Sequence, residues 1–446
     1  MMTQLSLEQK KAKYGEDLLE WYFHIQRNLP WRENHDPYRI WVSEIMLQQT
    51  RVDTVIPYFL SFIEKFPTIQ HLAEAPEEEV LKSWEGLGYY SRARNLQAGA
   101  KMVMEQHQGQ VPTTKEEVAA LKGVGPYTCG AIMSIAYNEP VPAVDGNVMR
   151  VISRFFALED DIAKPSTRVK LEKLVETMIP EGQARYFNQA LMELGALICT
   201  PKSPSCLLCP VMDNCEARLQ GREHELPLKS KAKKARVEYR AAVIVEGQGE
   251  HEGKVLVRQR PSDGLLAGMW ELPHVLVEGD QAALYAEQLK EQPLLGQAIS
   301  EEMHKRHGLL VKPREWFCDQ DHIFSHIRWN MRFFLADSSE VQSHVGEDVV
   351  QTIAHTTAQT AAAAERTYST DQIDPTDHID PTDIMQNVTT EAKLVAESTE
   401  DYRAITAQEI NMTPELRYIR KEDMSTMPFP NLFLKILQNY WKTKGV

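Results

Sequence analysis

The feature that most constrains the fold is a short loop that contains four of the chain's six cysteines. Cys199, Cys206, Cys209 and Cys215 follow the spacing C-x6-C-x2-C-x5-C. Four thiolates this close in sequence suit a tetrahedral metal ion or a cubane iron–sulfur cluster. A disulfide pair is disfavoured because nothing else in the chain looks secreted, and zinc ribbons usually pair two C-x2-C knuckles where this loop has one. The spacing favours a [4Fe-4S] cluster, and so tight a loop predicts a structural role.

The length and composition predict a multidomain protein with ordinary hydrophobic cores. A chain of 446 residues with 43% hydrophobic content is long enough for two or three domains. Its first residues lack a charged segment followed by an apolar block, and it has no run of 18 apolar residues. We therefore expect no signal peptide, no membrane span and a reducing, cytoplasmic location, on the nucleoid if the source is bacterial. Cys129 and Cys318 lie in apolar surroundings and are predicted to be core residues.

The negative charge is concentrated in one segment of the chain. The net charge is −14, which would argue against a nucleic-acid ligand. Residues 1–240, however, contain 30 Lys and Arg against 31 Asp and Glu, whereas residues 338–400 contain 2 against 12. The overall charge therefore does not describe the first half of the chain.

Residues 1–221 have the apolar periodicity of an all-α domain. Thr114 and Glu117 predict a capping box, and the helix that they begin ends at Gly123-Val124-Gly125, before a second helix from Pro126. Such a helix-hairpin-helix recurs in proteins that bind DNA without sequence specificity, because its glycines let backbone N–H groups approach a phosphate. The alternative is an ordinary helix end followed by a tight turn.

A basic linker, residues 222–237, leads into an α+β domain, residues 238–446. This second domain resembles the nudix fold, but the segment Glu301–Gly308 lacks the ordered glutamates of the nudix metal box, so we expect a recognition module. Residues 338–411 interrupt it with an acidic insert of low hydrophobicity, for which composition predicts disorder. The tandem Ile-Asp-Pro-Thr-Asp repeat in that insert could instead bind calcium, but it lacks glycine turns.

Three motifs, together with the cysteine loop, identify a family resemblance. They are Leu29–Arg32, Asp36–Thr50 and Val144–Val148. With the cysteine spacing they resemble the endonuclease III superfamily of helix-hairpin-helix DNA glycosylases and, within it, the adenine DNA glycosylase (MutY) family. The resemblance covers nearly the whole chain except residues 338–411. It implies a monomeric base-excision repair enzyme whose substrate is double-stranded DNA containing 8-oxoguanine:adenine mispairs and, more weakly, guanine:adenine mispairs.

Two carboxylic acids fit the chemistry of such an enzyme. Adenine leaves easily only when a ring nitrogen is protonated, and an acid in apolar surroundings can keep its proton near neutral pH. Glu44 lies among apolar residues of the second motif, so we predict that it is the acid. Asp145 is predicted to stabilise the oxocarbenium-like sugar, and Asn147 to orient Asp145 or a water. The alternatives without a catalytic role are a surface glutamate for Glu44 and a simple helix N-cap for Asp145.

Tyr127 separates this chain from the bifunctional relatives. Those relatives have a lysine after the hairpin that attacks the sugar and cuts the strand, whereas a tyrosine cannot form a Schiff base. The resemblance thus implies a monofunctional hydrolase, with Trp31 and Arg32 in the adenine pocket. The role of Gln189 stays open.

A target base must leave the helical stack, and protein groups must fill the gap and hold the opposite strand. The residues expected to contact DNA or the lesion are Gln49, Thr50, Leu87, Tyr89, Gly123 and Gly125 in the helical domain, and, by resemblance, Phe324, Ser325 and His326 in the second domain. Two other hypotheses are a bifunctional pyrimidine glycosylase/lyase and a non-catalytic iron–sulfur protein that binds DNA.

Overall fold

The computed structural model describes residues 6–231, 234–277, 296, 299–301, 303–305, 310–324, 326–338 and 415–445. The chain forms two compact units. The first contains Met1–Ala235, Asp263–Trp270 and Lys421–Val446, and the second contains Arg236–Ser262 and Glu271–Arg420. The sequence-based division placed all of residues 238–446 in one domain, but the contacts group residues 263–270 and the C-terminal segment with the first unit. The acidic insert lies almost wholly outside the described residues.

The first unit is helical, as the sequence predicts. Its helices are α1 Leu7–Ile25, α2 Pro37–Leu47, α3 Val52–Lys65, α4 Ile69–Glu74, α5 Glu77–Ser83, α6 Ser91–Gln106, α7 Lys115–Ala120, α8 Pro126–Ile135, α9 Gly146–Phe155, α10 Pro165–Glu176, α11 Ala184–Leu197, α12 Glu216–Leu219 and α13 Asn431–Thr443. No helix in the described part of the chain is long and apolar enough to cross a membrane.

Local sequence signals fix several helix starts. The Asp36 side chain accepts a hydrogen bond from the Tyr38 N–H at the start of α2, where Pro37 also fits the first turn. Thr114 caps α7 by accepting from the Glu117 N–H. In a complete capping box the Glu117 side chain would also accept from the Thr114 backbone N–H. Here the Glu117 carboxylate instead accepts from the Thr114 hydroxyl at 2.6 Å. The hairpin that follows ends at α8, which begins at Pro126 as predicted.

Two large hydrophobic clusters in the described part of the helical unit hold it together. One contains Trp41, Phe62 and Trp84, and the other packs α1 against α9 and α11 through Tyr14 and Phe187. Each of these side chains is almost fully buried, and burial of one large apolar side chain contributes about 1.5–3 kcal/mol. The clusters fix α2, α8, α9 and α11 relative to one another, and the predicted catalytic residues lie on α2, on α8 and at the start of α9.

The second unit is built on a mixed β-sheet. Its strands are β1 Arg236–Glu246, β2 Val255–Gln259, β3 Trp270–Glu271, β4 His274–Leu276, β5 Val311–Ile323, β6 Ile327–Ser338 and β7 Leu416–Ile419. The main order is β3-β2-β1-β6-β5, with β4 paired to β1 and β7 paired to β2. β1 runs parallel to β6 along its whole length, from Arg236 opposite Ile327 to Glu246 opposite Asp337. Apolar side chains of β1 and β6, including Val243 and Phe334, form its core.

Candidate active site

Glu44 is a buried carboxyl group on α2. Its residue is 5% exposed, and the apolar neighbours that the sequence indicated belong to the same buried helix. Burial raises the pKa of Glu44 to about 7; the Tyr127 hydrogen bond and the Arg32 charge oppose this rise, whereas the charge of Asp145 adds to it. At neutral pH a large fraction of Glu44 therefore carries a proton that it can donate.

Tyr127 is the partner of Glu44. It lies in the first turn of α8, directly after the glycine hairpin, and its hydroxyl donates to Glu44 Oε2 at 2.7 Å. The hydroxyl also lies 3.6 Å from Met192 Sδ. Burial holds the pKa of Tyr127 well above its usual value, so the phenol stays protonated. Tyr127 thus fixes the orientation of Glu44 and offers no amine to a substrate.

Asp145 is both a helix cap and a residue of the cleft. One carboxylate oxygen accepts from the N–H groups of Asn147 at 2.9 Å and Val148 at 2.8 Å, which caps α9. The other oxygen accepts from Asn147 Nδ2 at 2.9 Å. Arg150 in turn donates to Asn147 Oδ1 at 3.0 Å and to the Cys199 carbonyl at 2.8 Å. The carboxylate is therefore held rigidly, and the N-cap that was its alternative interpretation is the means of holding it.

Two adjoining cavities meet at these residues. The larger, about 710 Å³, extends from Glu44 and Asp145 to Gly123 and Gly125 of the hairpin. The other, about 480 Å³, extends from Glu44, Tyr127 and Asp145 toward Trp31 and Arg32. The acid and the carboxylate thus lie between a cleft lined by the hairpin and a second, more enclosed cavity.

A buried ion-pair network forms one wall of the second cavity. Glu193 of α11, 1% exposed, accepts from Arg27 Nε at 2.5 Å and from Arg32 Nη2 at 3.1 Å. Burial alone would raise the pKa of Glu193, but the two guanidinium groups hold it below its usual value. Trp31 is buried against Phe59, with ring centroids 5.4 Å apart. The cavity therefore combines an aromatic surface with fixed hydrogen-bonding groups.

The chain is similar to known DNA-repair proteins. Residues 42–177 match the HhH-GPD superfamily of base excision DNA repair proteins, and residues 241–376 match the NUDIX domain. An adenine DNA glycosylase of Rattus norvegicus is 38% identical over 71% of this chain and 68% of the relative. One of Schizosaccharomyces pombe is 34% identical over 76% and 83%. The chain belongs to the adenine DNA glycosylase family. Among solved structures, a thermostable thymine-DNA glycosylase is 31% identical over 47% of this chain and 97% of its own, with a TM-score of 0.44.

Membership of the adenine DNA glycosylase family settles the class of activity. The chain is a monofunctional DNA glycosylase of base-excision repair, and the expected pairing of a helix-hairpin-helix domain with a nudix-like domain is confirmed. Family membership favours a monofunctional adenine glycosylase over the two other hypotheses, a pyrimidine glycosylase/lyase and a non-catalytic iron–sulfur protein. Tyr127 is consistent with a monofunctional enzyme, because a lyase requires an amine at the reacting sugar.

The four cysteines of the loop converge on one small cavity of this glycosylase. All four are unpaired thiols, and Arg154 Nη1 donates to Cys199 Sγ at 3.3 Å. Burial, together with repulsion from the other three cysteines, raises the pKa of Cys209 to about 12, so the thiolate form requires a cation. Across the described residues, no group of three or more His, Cys, Asp or Glu is placed to hold a single metal ion.

The predicted DNA-contact residues of the helical unit lie on three turns. Gln49 and Tyr89 are exposed and have positive φ values, whereas Leu87 is buried in the core. Gly123 has φ +79°, and a β-carbon there would lie 2.6 Å from Asn95, so the turn requires glycine. A β-carbon at Gly125 would meet no atom within 4 Å, so this backbone is open to a ligand. Thr50 completes the turn after α2, where it lines both cavities.

The residues predicted to read the lesion lie at the β5–β6 turn. Phe324 donates its N–H to the Ile327 carbonyl at 2.7 Å and packs edge-on against Trp329 at 4.8 Å. His326 is exposed, and its carbonyl accepts from the Arg236 N–H at 2.9 Å. Ser325 lies outside the described residues.

Glu193 and its partner Arg27 are site residues that were not predicted from the sequence. Glu193 is the single acid within an apolar stretch of α11, Leu191-Met-Glu-Leu194, the same signal that selected Glu44. Gln189, left open, accepts from the Tyr22 hydroxyl at 3.3 Å and lines the same cavity.

Proposed function

We propose that this glycosylase hydrolyses the N-glycosidic bond of adenine paired with 8-oxoguanine in double-stranded DNA, and less efficiently that of adenine paired with guanine. The observation that carries the proposal is Glu44, a buried acid with a pKa of about 7 that shares a cavity with Asp145. An acid and a carboxylate in different environments are the pair that hydrolysis of a glycosidic bond requires.

The first step is protonation of the flipped adenine by Glu44. Burial keeps a large fraction of the carboxyl group protonated at neutral pH, and the Tyr127 hydroxyl at 2.7 Å holds its orientation. Protonation of a ring nitrogen turns adenine into a neutral leaving group, so that the bond to the sugar can break with the electron pair going to the base.

Asp145 stabilises the positive charge that then develops on the sugar. Its carboxylate is held by two backbone N–H groups and by Asn147, so little reorganisation is needed when the charge appears. Either a direct attack by water or a transient covalent bond to Asp145, followed by water, completes hydrolysis.

The cavity beside Glu44 receives the base. Trp31 offers an aromatic surface, and the Arg32–Glu193 pair offers donors and an acceptor to the polar edge of adenine. Hydrogen bonds to a fixed polar edge discriminate between bases more strongly than apolar contact does.

The cysteine loop fits a [4Fe-4S] cluster bound by Cys199, Cys206, Cys209 and Cys215. The donor set is four thiols at one cavity, and a cubane cluster accepts thiolates that are further apart than a single zinc ion does. The cluster would hold the loop, which Arg154 and Arg150 connect to α9. Purified protein should contain iron, and stoichiometric zinc without iron would refute this assignment.

On the DNA, the hairpin glycines bind a phosphate, Gln49 and Tyr89 enter the gap beside the flipped base, and Phe324, Ser325 and His326 read 8-oxoguanine. Exposure of Gln49, Tyr89 and His326 supports these roles. The enzyme is expected to act as a monomer in the cytoplasm.

A single-turnover assay on duplexes that differ only in the base opposite adenine tests the function. The wild-type enzyme should release adenine fastest opposite 8-oxoguanine, more slowly opposite guanine, and should give no borohydride-trapped adduct. Release of a pyrimidine, or no release, would refute it. His326→Ala should narrow the preference for 8-oxoguanine, whereas His304→Ala, an exposed histidine of the same unit, should not.

A further inference from the structure

Two turns present residues in unusual backbone conformations on the surface of the helical unit. The first turn, Gln48–Arg51, follows α2, and the second, Gly86–Tyr90, precedes α6. The exposed residues at their tips, Gln49 and Tyr89, have φ values of 57° and 49°. Residues other than glycine rarely adopt this conformation, and they keep it only where the surrounding structure holds them.

Arg92, in the first turn of α6, lies beneath the first of these turns. It is 9% exposed, and its Nη1 donates to the carbonyls of Ile45 at 2.8 Å, Met46 at 3.0 Å and Gln48 at 2.6 Å. These carbonyls lie at the C-terminal end of α2, where the helix dipole favours a positive charge. The guanidinium group thus ends α2 and holds the residue immediately before Gln49.

The other nitrogen of the same guanidinium group holds the second turn. Nη2 donates to the carbonyls of Gly88 at 3.1 Å and Leu87 at 3.4 Å, the two residues immediately before Tyr89. The group also lies 5.5 Å from the centroid of the Tyr89 ring. A planar guanidinium with donors on both sides can hold two backbone segments at a fixed spacing, which a lysine ammonium cannot do with the same geometry.

We infer that Arg92 is a positioning residue that holds Gln49 and Tyr89 at a fixed separation, so that both enter the duplex together as adenine leaves it. The inference rests on the proposed function, in which these two residues fill the gap. Arg92 itself is buried beneath the turns and acts through them. The step that it supports is extrusion of a paired base. Because Nη1 also holds the end of α2, the helix that carries Glu44, the test must separate extrusion from bond cleavage.

The experiment compares Arg92→Met and Arg92→Lys with Arg94→Met, a matched control. Arg94 is on the same helix and pairs with Glu77 at 3.0 Å. Single-turnover excision at saturating enzyme is measured on two duplexes, with adenine opposite 8-oxoguanine and with adenine opposite an abasic analogue that offers it no partner base. On the first duplex, Arg92→Met should slow excision about tenfold or more, Arg92→Lys should slow it less, and Arg94→Met should not slow it.

The ratio of the excision rates on the two duplexes separates loss of positioning from a general loss of folding or activity. For Arg92→Met the loss should be much smaller on the abasic duplex, because no partner base has to be separated there. Equal losses on both duplexes, or no loss on either, would overturn the inference; if Arg92→Met does not fold, Arg92→Lys is judged by the same ratio. Failure of the proposed function would show separately, as absence of adenine release by the wild-type enzyme.

A double-mutant cycle tests whether Arg92 acts through Tyr89. If it does, Arg92→Lys should cost much less in a Tyr89→Ala background than in the wild type. Full additivity of the two substitutions would overturn the coupling between Arg92 and the tip residue.

Discussion

At the scale of single residues, the surroundings of Glu44 decide what its carboxyl group can do. A glutamate on an exposed helix face is ionised at neutral pH and cannot act as an acid. Here burial raises its pKa to about 7, and the Tyr127 hydroxyl, 83 positions away in the chain, fixes its direction. Glu193, also buried, has its pKa held below the usual value by two arginines. Two buried glutamates that line the same cavity therefore have pKa values shifted in opposite directions.

The first prediction concerns the pH dependence of excision. The single-turnover rate should fall by about tenfold per pH unit once the pH exceeds about 7, because the protonated fraction of Glu44 falls in that proportion. The measurement is adenine release at saturating enzyme, with duplex binding recorded at each pH as the control. A rate that stays flat to about pH 9 would show that another group supplies the proton.

The second prediction concerns stability and follows from the same pKa. The carboxyl group has a pKa of about 7 in the folded protein against 4.5 ordinarily, so between these values the folded state holds more protons and stability falls as pH rises. The Glu44→Gln variant has no ionisable group at this position, so its stability does not fall with pH in this way. Relative to the wild type, its free energy of unfolding should be higher by about 2 kcal/mol more at pH 8 than at pH 5.5. Thermal unfolding of the wild type and the variant at the two pH values measures this difference. An equal difference in stability at both pH values would contradict the prediction. The same variant should release no adenine.

At the scale of elements, the hairpin between α7 and α8 assigns different tasks to its two glycines. Gly123 has the positive φ and lies against Asn95, whereas Gly125 faces open space at the start of α8. The N-terminus of a helix presents free N–H groups that bind a phosphate. The same hairpin leads directly to Tyr127 in the first turn of α8, so DNA binding and the orientation of Glu44 depend on one short segment.

The third prediction compares alanine at these two positions. Gly123→Ala should destabilise the protein by about 1 kcal/mol or more, since the new side chain meets Asn95 in a strained backbone conformation. Gly125→Ala should leave the melting temperature nearly unchanged but weaken duplex binding, because the methyl group blocks approach of a phosphate. Unchanged affinity of Gly125→Ala would remove the hairpin from the DNA interface.

At the scale of the whole molecule, the C-terminal segment belongs to the helical unit. Lys82 Nζ donates to the Met424 carbonyl at 2.7 Å, Glu85 accepts from the Phe429 N–H at 2.8 Å, and Asn431 donates to the Gly86 carbonyl at 3.2 Å. Helix α13 buries one side of its length. The last residues of the chain therefore support the turn that carries Tyr89.

The fourth prediction contrasts two deletions. Truncation after Arg420 should lower the melting temperature and slow excision, since α13 buries several apolar side chains that contribute about 1.5–3 kcal/mol each. Deletion of residues 340–405, replaced by a short Gly/Ser bridge, should leave excision within about twofold, because that segment is acidic and low in hydrophobicity. A truncated protein as stable and active as the full chain would show that the C-terminal segment does not support the turn that carries Tyr89.

Short stretches of sequence are enough to predict the features that depend on neighbouring residues. The cysteine spacing, the hairpin glycines, the cap at Thr114 and the apolar neighbours of Glu44 along α2 all follow from short segments, since helix periodicity and turn chemistry are local. These segments also carried the family resemblance, and with it the class of activity. The α+β character of the second unit was likewise visible in its alternating strands.

Contacts between residues that are distant in the chain depend on the complete fold. The pairs Glu44–Tyr127, Arg32–Glu193 and Lys82–Met424 join residues far apart in the chain, and no local pattern encodes such partners. Their contacts set the pKa values of the two buried glutamates, which depend on burial and nearby charges that exist only after folding. The same holds for Arg92, whose sequence neighbours give no sign that its guanidinium group joins two turns.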